Sequence, residues 1–393
     1  MDDADAGGEA ETSDSHPNDA DLSRSLPDLD DRLERFLDRD WDDGPGGGRY
    51  TGHRDPPLRV AMVGLGEWTR ERALPAVADS DYAETTVLVS GSRAKAARVA
   101  DANDVPHALD YEGFHAGDAV DAYDAVYVAT PNATHLDHVA AAAGLGRAVL
   151  CEKPLEATVE RAEALVAACE ERGVPLMVAY RMQTEPTVRL ARALVREGWV
   201  GEPVQAHGAD SFTLLDANPD PGQWRLDADL SGGCALADLG VYPLNTLRFV
   251  LDADPVRVSG ATRSEHEAFA DVDEHASFTC EFPTVTAVCT ASHGAFAGGH
   301  LRVLGTEGRL TLDPAFHPWD PRTLTLEREA GRASVTVAPG EVDQMREEFD
   351  YFAHRVLTGR APAPDGQHGL VDVRAVAGVY ESAAGDGAPV DLA

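Results

Sequence analysis

Lysine is nearly missing from this chain: of 33 basic side chains in 393 residues only Lys95 and Lys153 are lysines, and the rest are arginine. A chain that forgoes lysine but keeps it twice points to two places where a compact ammonium does what a guanidinium does not, and chance survival in a GC-rich coding sequence is the competing explanation. Basic charge of any kind is scarce. Against those 33 stand 68 acids, a formal charge of -35. The first fifty residues hold sixteen acids and five bases, so most of the excess sits on the remainder. Such a field repels nucleic acid and anionic membrane, which excludes both as partners. It suits a halophilic cytosol, where molar salt screens the self-repulsion of so charged a compact state.

Cysteine is also sparse. The five residues, Cys151, Cys169, Cys234, Cys280 and Cys289, are odd in number and show no CxxC spacing. That pattern argues against a disulfide framework or a zinc ribbon and for reduced, buried thiols. No run of 18 apolar residues occurs, and no basic segment followed by an apolar stretch opens the chain. Neither a membrane span nor a signal peptide is expected, and the localisation read from these absences is cytoplasmic.

What is present falls into three parts. Residues 1–55 read as an acidic, largely disordered extension, because the first 28 carry too few large apolar groups to offset the entropy of ordering. Within it Leu29, Leu33, Phe36, Leu37 and Trp41 fall on one helical face that should dock on the body or a neighbouring subunit, and Gly44 to Gly48 make a flexible joint. Residues 56–179 alternate apolar runs at 58–63, 85–89, 125–129, 147–150 and 175–178 with helical segments at 67–78, 92–102, 132–144 and 158–172. That alternation predicts a parallel sheet covered on both faces. Residues 180–393 switch to a helix at 185–197, a strand near 203–212, a helix over 238–250, period-2 strands from 255 to 328, and closing helices at 343–357 and 368–384. The fold class expected is therefore α/β: an N-terminal Rossmann parallel sheet plus a C-terminal α+β domain with a large, mostly antiparallel open sheet.

The run Val60-Ala61-Met62-Val63-Gly64-Leu65-Gly66-Glu67-Trp68-Thr69 reads as a strand, a glycine turn and a helix start. Gly64 permits the turn, and Gly66 lets the backbone of the Glu67–Trp68 segment approach a pyrophosphate at the helix N-terminus. Thr69 stands where a third glycine is usual. NAD-binding folds place an acid at the end of the second strand, about 20 residues on. Here that end reads Ser90-Gly91-Ser92-Arg93-Ala94-Lys95, with hydroxyls and cations suited to a 2′-phosphate, so the expected cofactor is NADP. An N-cap serine followed by two solvated cations is the competing explanation. Thr130, Asn132 and His135 follow the 125–129 strand, where the nicotinamide half would rest. His135 and His138 lack an evident third ligand, so no metal is expected and capping or packing is their role.

In the second half, Asp238 and Tyr242 lie four residues apart after Gly232-Gly233, a spacing that puts both on one helical face. Tyrosine is a poor base at neutral pH unless a neighbouring ammonium favours phenolate, and Lys153, in Glu152-Lys153-Pro154 after an apolar strand, is the lysine left to do it. An ordinary buried Asp–Tyr hydrogen bond fits the same spacing.

The order Gly64-Leu65-Gly66, Ser90 with Lys95, Thr130-Pro131-Asn132 with His135, Glu152-Lys153-Pro154, Tyr180-Arg181, Gln223-Trp224-Arg225-Leu226, and Gly232-Gly233 through Asp238, Gly240 and Tyr242 resembles the Gfo/Idh/MocA oxidoreductases. It looks most like their branch with glucose–fructose oxidoreductase, dimeric dihydrodiol dehydrogenase and the NADP-dependent D-xylose dehydrogenases, those of haloarchaea included. The resemblance runs from about Leu58 to Leu392. It implies that Lys153 is the catalytic lysine and Tyr242 the acid/base, and that Ser90 and Lys95 hold the 2′-phosphate. It further implies that Asp238, Arg181, Trp224 and Arg225 orient a small sugar substrate oxidised at C1, in a homodimer or homotetramer. Cys234 replaces a glycine common in the motif. A polyol or dihydrodiol dehydrogenase would use the same residues, and a sugar-sensing regulator that binds dinucleotide without turnover is the alternative of another class.

Overall fold

In the computed structural model of the protein, the structure describes residues 26–39, 41, 56–318, 321–328, 333–340 and 342–392. The expected disordered tail up to residue 25 and the joint at Gly44 to Gly48 lie outside the described residues. The first sheet contains β1 (Leu58–Val63), β2 (Ala83–Ser90), β3 (His107–Asp110), β4 (Ala125–Val128), β5 (Ala148–Glu152) and β6 (Leu176–Ala179). Their order is β3-β2-β1-β4-β5-β6, all parallel. Apolar side chains cover both of its faces, which is why β1, β4 and β6 read as nearly continuous apolar runs. Order reverses between β1 and β4, and the crevice outside the carboxyl ends of those strands is the ligand-binding place of such sheets.

The second sheet has nine strands: β7 (Pro203–Ser211), β8 (Arg257–Arg263), β9 (His275–Glu281), β10 (Thr286–Ser292), β11 (Gly298–Gly305), β12 (Gly308–Leu312), β13 (Leu324–Arg328), β14 (Ala333–Val337) and β15 (Val390–Asp391). Their order is β14-β13-β12-β11-β7-β10-β9-β8-β15. Neighbours are antiparallel except β7 and β10, which run parallel because β7 enters the middle of the sheet from the helical region before it. Burial alternates along β9 and β10, one face on the core and one open.

Four expectations needed correction. The strand β3 was not foreseen, since His107-Ala108-Leu109-Asp110 is a sheet edge with little apolar pattern. The short strands β14 and β15, also at sheet edges, were missed for the same reason. The helices at 67–78 and 238–250 each begin with a widened, π-helical turn, at Thr69–Ala73 and Leu236–Gly240. The N-terminal helix spans only Leu29–Leu37. Leu29, Leu33 and Phe36 are buried against the Pro186–Arg196 helix region, but Leu37 is 42% exposed, and Trp41 packs beyond the helix against Tyr82 and Tyr351.

Candidate active site

Gly64 closes the turn after β1 with φ of +95°, and a Cβ there would stand 2.2 Å from the Ala129 carbonyl oxygen at the end of β4. The turn can therefore hold only glycine. A Cβ on Gly66 would meet nothing within 4 Å, so the backbone beside it is open to a ligand. Thr69, in place of the third glycine, is fully buried and donates its hydroxyl to the Gly64 carbonyl at 2.7 Å, bracing the same turn. Glu67 is exposed and makes no hydrogen bond or ion pair among the described residues.

At the end of β2, Ser90 is buried, whereas Ser92 caps the Arg93–Ala102 helix by accepting from the Lys95 N–H at 3.3 Å. The capping explanation thus holds for the Ser92 hydroxyl. Lys95 is different. Partial burial lowers its pKa, and Arg70 and Arg98 lower it further, so three cations crowd one spot. Among the described residues none of Arg70, Arg93, Lys95 or Arg98 forms an ion pair, in a chain with twice as many acids as bases. A repulsive cluster left without counter-charge fits a phosphate. Arg70 was not foreseen; its signal was only its place one turn after the glycines.

Beyond β4, Thr130 and Asn132 are buried, and Asn132 donates to the Ser231 carbonyl at 2.8 Å, tying the nucleotide-side loop to the second half. His135 is fully buried between the Leu155 carbonyl at 3.1 Å and the Thr130 carbonyl at 2.9 Å. The ring is enclosed between these two carbonyls, to one of which a neutral imidazole can donate, and it braces the loop from beneath. His138 lies 3.0 Å from His115 instead.

Glu152, at the end of β5, accepts from the Trp68 indole at 3.0 Å and the Tyr127 hydroxyl at 2.6 Å, locking the first helix turn to the sheet. Lys153 follows. Its Nζ donates to the Asp238 Oδ1 at 2.9 Å and to the Asp238 carbonyl at 2.8 Å, and stands 4.6 Å from the centre of the Tyr242 ring. Burial by itself lowers the Lys153 pKa, but Asp238 and Tyr242 outweigh it and the net shift is upward, so this is a permanent ammonium. Burial likewise works against the Asp238 carboxylate, yet Arg225, Lys153 and His293 hold it well below the usual range.

Asp238 was expected to lie beside Tyr242 and to orient sugar hydroxyls. Asp238 sits in the widened turn, and its carboxylate pairs with Lys153 and Arg225. Among the described residues no Asp238–Tyr242 hydrogen bond exists. The second carboxylate oxygen accepts from the Arg225 Nε at 2.9 Å, with the His293 Nε2 3.4 Å away. The turn itself is held from below, where the buried Asp273 accepts from the backbone N–H groups of Cys234 and Leu236, each at 2.7 Å. Arg225 stacks on Trp224 at 4.6 Å. Arg181 is buried, donates to the Phe316 carbonyl at 2.6 Å and to Gln344, and places its guanidinium 4.7 Å from the Tyr242 ring centre. Tyr242, 8% exposed, is thereby flanked by two cations, and its hydroxyl makes no hydrogen bond to any described residue.

Three more side chains reach this cluster unforeseen: His293 after β10, His317 after β12, and Asp210 on β7. Asp210 had a readable signal, an acid at an inward position of a strand whose other inward residues are Ala206 and Gly208. The histidines had none.

Residues 58–180 match the family model described as an oxidoreductase family with an NAD-binding Rossmann fold, Gfo/Idh/MocA, and residues 188–311 match the Gfo/Idh/MocA C-terminal domain. The chain is 56% identical over 331 residues to a D-xylose 1-dehydrogenase [NADP(+)] of Haloarcula marismortui, covering 84% of this chain and 91% of that one. It is 35% identical to the D-xylose 1-dehydrogenase (NADP(+)) 2 of Haloferax volcanii, covering 85% and 98%. Among solved structures, the aldose–aldose oxidoreductase of Caulobacter crescentus complexed with glycerol superimposes with a TM-score of 0.79 at 30% identity, covering 86% of this chain and all of that one. An ammonium, a carboxylate and a phenol gathered at the carboxyl edge of a dinucleotide sheet, together with these matches, place the chain in the Gfo/Idh/MocA family of oxidoreductases.

Proposed function

We propose that the protein oxidises C1 of a cyclic aldose, D-xylose first among them, to the lactone with NADP⁺ as acceptor. The observation that carries this reading is the Lys153–Asp238–Tyr242 constellation, in which the phenol ring is flanked by Lys153 and Arg181 and its hydroxyl bonds to no described residue. The xylose dehydrogenases among the relatives support the substrate and the cofactor. NADP⁺ fits the residues present: Gly64 and Gly66 would admit its pyrophosphate, and Ser90, Lys95 and Arg70 would hold its 2′-phosphate, with Arg93 and Arg98 adding charge. When bound it supplies the hydride acceptor.

The chain's own residues handle the proton. Tyr242 takes the proton of O1 as the C1–H bond breaks, since a base must be within reach while hydride departs. Lys153 and Arg181 set their charges 4.6 and 4.7 Å from the centre of the Tyr242 ring. Asp238 keeps Lys153 charged and fixed, and Arg225 holds Asp238 from its other side. Glu152 orients Trp68 at the mouth of the glycine turn. A sensor that only binds would have no use for an activated phenol.

The open face of the second sheet presents Val288 and small polar side chains, and supports a homodimer or homotetramer in which a second copy covers it. A monomer mass by light scattering in molar KCl would contradict that. No described helix is long and apolar enough to cross a membrane, and a cytoplasmic, salt-adapted enzyme accords with the acidic composition.

The test is formation of reduced nicotinamide, followed by its near-ultraviolet absorbance in molar KCl, with NADP⁺ or NAD⁺ against D-xylose, D-glucose, L-arabinose and a vicinal diol. NADPH formation with D-xylose well above the rest is expected. Turnover of the diol alone would make the protein a polyol dehydrogenase, and NADPH binding without turnover of any substrate would make it a regulator.

A further inference from the structure

Asp210 stands where a strand normally buries an apolar side chain, and only 4% of it is exposed. A carboxyl at such a position is costly unless bonded. Yet its Oδ1 accepts no hydrogen bond, and the His317 Nε2 lies 3.5 Å away without donating to it. Opposite Asp210 on the neighbouring strands stand the small residues Ala291 on β10 and Gly299 on β11, with the Phe316 ring beside the latter. A Cβ on Gly299 would come within 3.2 Å of the same oxygen. The charged groups facing it are those of the catalytic cluster. Burial pushes the carboxyl up to about 7, against the pull of Arg181 and Lys153, while Asp238 adds to the rise.

An unbonded carboxyl oxygen, with small neighbours and two cations in range, is an acceptor awaiting a hydroxyl. We propose that Asp210 is a substrate-positioning residue, accepting a hydrogen bond from one hydroxyl of the aldose other than the reacting O1 and so fixing which carbon meets the cofactor. This rests on the aldose-oxidising reading above. Asp238, by contrast, already accepts from Lys153 on one carboxylate oxygen and from Arg225 on the other. The two acids thus divide the work, one holding the catalytic ammonium and the other reading the sugar.

The experiment compares the full-length wild type with Asp210→Asn and Asp210→Ala on D-xylose and its 2-, 3- and 4-deoxy analogues at saturating NADP⁺. NADPH binding, followed by fluorescence, serves as the check on folding. Both variants should bind NADPH like the wild type and raise KM for D-xylose roughly tenfold to a hundredfold. On the one analogue that lacks the hydroxyl in question, they should lose almost nothing further. Equal losses on xylose and all three analogues, or no loss, would overturn the assignment while leaving the aldose reading intact. A wild type silent on every aldose would overturn both.

Discussion

Lys153 holds Asp238 twice, through the carboxylate Oδ1 at 2.9 Å and through the backbone carbonyl at 2.8 Å. One ammonium therefore clamps a side chain and the widened helical turn that carries it, and Tyr242 begins the next turn. Asp238 lies within a π-helical turn, and such turns occur frequently at functional sites.

Tyr242→Phe should leave NADPH binding nearly intact and lower kcat by about a hundredfold or more. Lys153→Met should do the same, and Asp238→Asn should cost about tenfold or more, because it weakens the hold on the ammonium without removing it. Steady-state kinetics with parallel NADPH titration check this. Full activity in Tyr242→Phe would remove the phenol from the mechanism.

Lys95→Ala and Arg70→Ala should each raise KM for NADP⁺ by about tenfold or more and leave KM for NAD⁺ nearly unchanged. The difference should shrink as KCl rises, since the Debye length falls to about 3 Å at 1 M and these side chains are partly exposed. Equal changes for the two cofactors would refute a 2′-phosphate site here.

Gly64→Ala forces a Cβ to within 2.2 Å of a backbone oxygen at φ of +95°. Neither atom can give way cheaply, so NADPH binding should be lost and the melting temperature lowered by several degrees. Gly66→Ala, whose Cβ meets no protein atom, should keep the melting temperature and lose affinity for the cofactor alone.

Two buried groups should tilt stability with pH in opposite directions. Burial first, then His115 and His135, push the His138 imidazole down to about 4. The unfolded chain then binds the extra proton between pH 6.5 and 4, so stability present above pH 6.5 is lost as pH falls through that window. His138→Gln should flatten this limb by roughly 2–3 kcal/mol. Asp210, raised to about 7, behaves in reverse: the native state keeps its proton between about pH 4 and 7, and its contribution is lost as pH rises to 7. Asp210→Asn should therefore gain on the wild type by on the order of 2–4 kcal/mol across that interval. Denaturant titrations at several pH values would show crossing trends, and parallel curves would refute both assignments.

The parallel half of the fold was legible because its signals are local. Apolar runs of strand length, the glycine turn at Gly64, and the absence of an acid at the end of β2 each depend on a few adjacent residues. Lys153 and Tyr242 were also visible from rarity and spacing. What joins them was not. The i, i+4 spacing predicted Asp238 against Tyr242, whereas the widened turn and the reach of Lys153 and Arg225 decide its partners. His135, in a motif that pointed to the cofactor, became a packed brace because two carbonyls from separate segments close on it. His293 reaches Asp238 and His317 reaches Asp210 only through the folded sheet, which includes one parallel pairing, β7 with β10, that no short-range pattern specifies. Residues adjacent in the chain determined the frame of this protein. The wall that carries Asp210 is assembled from strands far apart in sequence, where burial and charge at each position depend on neighbours that only the folded sheet supplies.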